Sequence, residues 1–283
     1  MKRVITGSVG ILILIPVCMF SHTVIWPLLL SLFALIATEE ILTCTGHRNN
    51  LFRVIPAWLF SFLPLICYYL CRVWHVMDFY RCVFLFSALF FFTAQVLSVF
   101  EKNREKSDRL YSYIAFVYYV VLSFTAIFQV RYLDNGQEEG KHLFLLIFLG
   151  AWVSDTFAYL VGMLIGKHSL APEISAKKTI EGSIGGIVGN MIFFAGYALI
   201  LRARYNINAN VVLFVVLGAL FSVVGQVGDL IASCIKRHCA IKDYGNFFPG
   251  HGGVLDRFDS TLSIACVMMI VDAAFGASFS ILS

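Results

Sequence analysis

Repeated apolar stretches, each about as long as a bilayer is thick, constrain the fold of this 283-residue chain more than any other feature. A helix needs about 20 predominantly apolar residues to cross the hydrocarbon layer. About nine stretches qualify, at roughly 4–20, 24–43, 52–70, 80–99, 110–130, 143–165, 184–201, 210–235 and 260–281. Hydrophobic residues make up 59% of the chain and charged ones 13%, which excludes an ordinary soluble core. The expected fold class is therefore all-α, a polytopic integral membrane protein. Met1-Lys2-Arg3 before an apolar run resembles a signal peptide, but no A-x-A site precedes the next run, so a retained helix is expected.

Helices in that number put the termini on opposite faces. A cytoplasmic N-terminus places 15 of the 21 Lys and Arg residues in inside segments and 6 outside, the bias that the positive-inside rule requires. Some of those inside residues also belong to the candidate sites below. The net charge of +4 is spread over these loops and gives no reason to expect nucleic acid. Eight cysteines form no CxxC pair, so neither zinc nor a disulfide framework is indicated.

Within one membrane domain the halves differ. Residues 1–142 read as scaffold helices with Trp26, Trp58 and Trp74 near their ends, and the run 101–109 as a solvated, mixed-charge connection. Residues 143–283 carry the chemistry. Glycines in 182–190 permit close helix packing, within a protomer or between two, so a homodimer is open.

The window 233–259 breaks the apolar rule most sharply. It holds Lys236, Arg237, Lys242, Asp243, Asp256, Arg257 and Asp259, with His251 and a Pro-Gly turn among them. Mixed carboxylates and cations at a membrane surface suit a divalent metal and a phosphate-bearing substrate. Just upstream, Asp229, Ser233, Lys236 and Arg237 share one helical face, and Gly225 and Gly228 let another helix approach. Asp229 reads either as a site residue or as a structural carboxylate. The turn's backbone N–H groups can approach anionic oxygens. Asp256 and Asp259 lie three apart, on one face if a helix has begun; Asp259 alternatively reads as an N-cap. His251 reads as base, ligand or loop brace.

A further cluster starts at Asp155, with Tyr159 and Gly162 on its helical face. The following loop carries Lys167, Lys177, Lys178 and Thr179 between glycines. That composition suits a polyphosphate, or alternatively anionic lipid headgroups. The Walker A spacing is absent.

These motifs resemble the phosphatidate cytidylyltransferases, or CDP-diacylglycerol synthases. The family pattern of Ser-x-apolar-Lys-Arg, Lys-Asp, Pro-x-His-Gly-Gly and Asp-Arg-x-Asp falls on Ser233, Lys236, Arg237, Lys242, Asp243, Pro249, His251, Gly252, Gly253, Asp256, Arg257 and Asp259. The Asp155–Gly162 element and the 166–182 loop also look like the family's. The chain departs from the pattern at Ala176, Ile180 and Ala232, where Pro, Trp and Glu are usual.

The resemblance implies transfer of the cytidylyl group of CTP to phosphatidate, giving CDP-diacylglycerol and pyrophosphate. Under it Asp229 and Asp256 are expected to hold Mg²⁺, as one ion or two, with Asp259 and Asp243 as further ligand candidates and a monovalent cation left open. Lys167, Lys177, Lys178 and Thr179 would bind the CTP phosphates. Ser233, Lys236 and Arg237 would bind the lipid phosphate, with Lys242, Arg257 and His251 also facing substrate. The expected setting is the inner (plasma) membrane, with the site on its cytoplasmic face. The rival readings are transfer to another lipid and ion-coupled transport.

Overall fold

A computed structural model describes residues 21–99, 104–133, 138–248, 250 and 252–275. The helices are α1 (Ile25–Cys44), α2 (Leu51–Ser61), α3 (Leu63–Cys67), a π-helix (Tyr68–Val73), α4 (Phe79–Val99), α5 (Arg104–Arg131), α6 (Glu138–Ile165), α7 (Ile180–Tyr205), α8 (Val211–His238) and α9 (Leu255–Phe275). Between α6 and α7 lies one antiparallel hairpin, β1 (Ser169–Ala171) with β2 (Ser175–Thr179), in a segment that reads as loop from sequence.

Six of these helices are long and apolar enough to cross a membrane, and α2 with the α3–π segment makes a seventh span bent by 41°. Together they match the second to eighth expected spans. The bend falls where Pro64 opens α3, since proline lacks an N–H and its ring clashes with the carbonyl four residues back. The first expected span and His251 lie outside the described residues. The ninth span is helical from Leu255 to Phe275.

The chain forms two compact units, Met1–Gln129 with His238–Arg257, and Val130–Arg237 with Phe258–Ser283. In the first, α1 buries Trp26, Leu30, Ala34, Ala37 and Ile41 along one stripe and exposes Leu28 and Leu32. That is how a helix apolar all round packs on one side and meets lipid on the other. Polar contacts then fix its neighbours: Thr38 shares a hydrogen bond with Ser61 at 2.9 Å, and Tyr113 Oη donates to the Arg53 carbonyl at 2.7 Å.

The second unit is built on glycine contacts. An added Cβ would lie 2.5 Å from Val161 Cβ at Gly185 and 2.6 Å from the Ala158 carbonyl at Gly182, and at Gly189 it would strike the Phe157 ring. The 182–190 face therefore packs on α6 of its own protomer, where close backbones gain dispersion that larger side chains would block. Gly225 and Gly228 of α8 do the same for α9, with Ile264 Cδ1 at 3.2 Å and the Asp259 carbonyl at 2.8 Å.

Candidate active site

The hairpin delivers the lysines. Thr179 ends β2 and caps α7, its side chain accepting from Gly182 N–H at 3.1 Å, which satisfies one of the first-turn donors. Glu181, in that first turn, reaches back to accept from Lys167 N–H at 3.0 Å and His168 N–H at 3.2 Å. Its other oxygen meets His168 Nδ1 at 2.6 Å. The polar run 167–181 is thereby closed on itself, and Lys177 and Lys178 are carried on a strand.

Both lysines line a cavity of about 490 Å³ within the second unit. Asp155, Tyr159 and Gly162 of α6 form one wall, Thr179, Gly182 and Ser183 another, and Gln226 and Asp229 of α8 a third. Across it, Lys178 Nζ lies 2.5 Å from Asp229 Oδ2 and 3.5 Å from the Gln226 carbonyl oxygen. Asp155 interacts electrostatically with Asp229 and Lys178. Asp259 interacts with Asp229, Asp155 and Lys236.

Beneath this charged layer runs a hydrogen-bonded polar chain. Ser183 Oγ donates to Gln226 Oε1 at 2.5 Å, and Gln226 Nε2 donates to Ser222 Oγ at 3.0 Å and to the Ser183 carbonyl at 3.2 Å. Ser222 shares a further bond with Ser154 at 2.7 Å. Ser183 and Gln226 did not stand out in the sequence. The available signal was the i,i+3 spacing of Gln226 and Asp229, two polar residues on one face of an apolar helix.

In the first unit, Asp256 Oδ2 accepts from Tyr244 N–H at 2.8 Å and Gly253 N–H at 2.9 Å. Glu40, in the scaffold half, accepts from Val254 N–H at 2.8 Å and Leu255 N–H at 3.0 Å. The turn's amides do meet anionic oxygens, as its glycines suggest, but these four are taken by the protein's own carboxylates. Gly252, at φ +85°, packs on Asp256, whose Oδ2 would lie 2.7 Å from an added Cβ.

The predicted residues divide accordingly. Asp229, Lys177, Lys178 and Thr179 share the cavity. Asp259 is inside α9, not at its N-cap, because the helix already starts at Leu255; Asp256 and Asp259 thus share a helical face. Its Oδ1 accepts from Ser260 N–H at 2.8 Å. Ser233 and Lys236 are half-buried on α8 and Arg237 is exposed; none of the three lines the cavity. Lys167 is exposed on the loop, and Lys242, Asp243 and Arg257 are exposed in the first unit.

A helical membrane protein with lysines and carboxylates gathered on one cavity has the outline of an enzyme handling phosphorylated substrates. The sequence matches the cytidylyltransferase family over residues 1–275. It is 34% identical to a phosphatidate cytidylyltransferase of Staphylococcus haemolyticus, over 95% of this chain and 97% of that one. The corresponding Staphylococcus aureus protein is 33% identical with the same coverage. A third, from Staphylococcus epidermidis, is 34% identical over 95% of this chain and 97% of its own length. The chain belongs to the cytidylyltransferase family.

Proposed function

We propose that this protein transfers the cytidylyl group of CTP to phosphatidate, releasing pyrophosphate and forming CDP-diacylglycerol. The observation that carries the reading is the pairing of Lys178 with Asp229 in a cavity, in a chain similar over nearly its whole length to proteins named for this reaction. A phosphate oxygen of the lipid attacks the α-phosphorus of CTP. The bond from that phosphorus to the bridging oxygen breaks, and pyrophosphate leaves. No protein nucleophile is required; the chain supplies position and charge. Lys177 and Lys178 neutralise the triphosphate, and the bond from Lys178 to Asp229 orients its ammonium until substrate arrives. Lys236 and Arg237, with Ser233, receive the lipid phosphate.

Three interacting carboxylates, Asp155, Asp229 and Asp259, face two ammonium groups, Lys178 and Lys236, in the second unit. That oxygen-only, net-negative donor set fits a hard divalent ion such as Mg²⁺. Among the described residues no three acidic, His or Cys side chains are already drawn together for a metal. Asp229 and Asp259 would hold the ion, with Asp155 beside them. When bound, it would withdraw charge from the phosphates. Asp256 would act from the turn that it braces. The positive-inside bias supports a cytoplasmic site, and the plasma membrane is the proposed setting.

The test is CTP-dependent conversion of phosphatidate by purified protein in detergent, with and without Mg²⁺, beside Asp229→Asn. Metal-dependent CDP-diacylglycerol that is lost in the variant supports the reading. Product with another lipid but none with phosphatidate would replace the acceptor, and no nucleotide transfer at all would overturn the reaction.

A further inference from the structure

Glu40 takes no part in the mechanism above, yet the residue is only 7% exposed and belongs to a candidate membrane span. An ionised group there is expensive unless its oxygens are satisfied. They are satisfied by one segment: Val254 N–H on Oε1 and Leu255 N–H on Oε2. The same carboxylate fills the space beside two glycines of that segment. A Cβ at Gly245 would come within 2.9 Å of Oε1, and one at Gly253 would collide with it. One helical turn along α1, Cys44 Sγ lies 3.0 Å from Sγ of Cys239, just past the end of α8. Asp256 takes the Gly253 amide, so three successive N–H groups, 253 to 255, are held by two carboxylates.

We infer that Glu40 is a positioning residue for nucleotidyl transfer: it holds Gly245 and the run Gly253–Leu255 against α1, and so sets the direction of Asp256 and Arg257 at the start of α9. The physical reason is that buried donors at the start of a helix need an acceptor, and a carboxylate is the best one because it also matches the helix dipole. Gln is not equivalent. The two N–H groups bond to different oxygens, so an amide would present its NH₂ to one of them. The catalytic consequence rests on the proposed transfer reaction; the clamp itself does not.

The experiment compares wild type, Glu40→Gln, Glu40→Asp and Gly253→Ala, with Glu39→Gln as control, since Glu39 instead contacts Trp58 and Arg48. Hydrogen exchange is read across the whole chain, and kcat and KM are read for CTP and phosphatidate. We expect amides of 244–255 to exchange about 10–100-fold faster in the three site variants, with helices α6 to α8 unchanged. Turnover should fall by about tenfold or more, chiefly in kcat. Gly253→Ala displaces the carboxylate without altering charge, and keeps the test open if the Glu40 variants do not fold. Unchanged exchange at 244–255, or faster exchange everywhere, would overturn the clamp. Local release with normal kcat would overturn its role in the reaction. Wild type that makes no CDP-diacylglycerol refutes the transfer reading and the catalytic role together, while exchange still decides the clamp.

Discussion

Lys178 Nζ sits 2.5 Å from Asp229 Oδ2, tying the second strand of the hairpin to α8 across the cavity. Their side chains are 25% and 30% exposed, so the pair is partly shielded from water. Asp229→Asn should lower CDP-diacylglycerol formation by about 100-fold or more with retained folding. Because both residues serve one site, the double variant with Lys178→Met should lose less than the two single losses multiplied. Steady-state rates of the four proteins measure this, and strictly independent losses would count against a shared role.

Gln226 makes three side-chain hydrogen bonds in the layer below that pair. Gln226→Leu leaves Ser183 Oγ and Ser222 Oγ short of a partner, which costs about 1–3 kcal/mol. The expected result is a lower thermal midpoint in detergent, with the Lys178 contact kept because it uses the backbone carbonyl. An unchanged midpoint would mean water replaces the amide.

The glycine seam gives a contrast within one helix. Gly185→Val places a branched side chain against Val161 and should destabilise by about 1–3 kcal/mol or more. Gly196→Ala meets nothing within 4 Å and should be neutral or mildly stabilising, since alanine favours helix. Thermal unfolding of both variants decides the point; equal midpoints would refute the packing argument.

Cys239, just past the end of α8, shares a hydrogen bond with Cys44, and that bond holds its thiol below the ordinary range. A depressed value means that the thiolate persists to lower pH, so Cys239 should alkylate at pH values where an ordinary thiol is slow. Cys44→Ala removes the bond and should move the alkylation profile up in pH. Peptide mapping after iodoacetamide labelling at stepped pH reads both proteins, and identical profiles would sink the idea.

Much of this was legible in advance. The spans were readable because burial in lipid demands a run of apolar side chains and nothing more specific. Asp229 stood out because a carboxylate in such a run is costly, and Lys177 and Lys178 because cations cluster there between glycines. The hairpin that carries them was not legible. Its strands are three and five residues long, too short for an alternating pattern to show. Glu40 escaped notice for a different reason. Beside Glu39 at the end of an apolar helix it looks like a solvated pair at the membrane surface.

Local chemistry, then, settled the helical class, seven of the expected spans among the described residues, and which charged residues line the cavity between α6, the hairpin and α8. Those follow from hydropathy and charge along the chain, which need no partner to be read. Tertiary structure alone decided who meets whom: the 182–190 glycines with α6, Gln226 with Ser183, and Glu40 with an amide 214 residues away at Val254. Such contacts depend on the packing of distant helices, and a carboxylate carries no mark in the sequence of the N–H groups that will satisfy it.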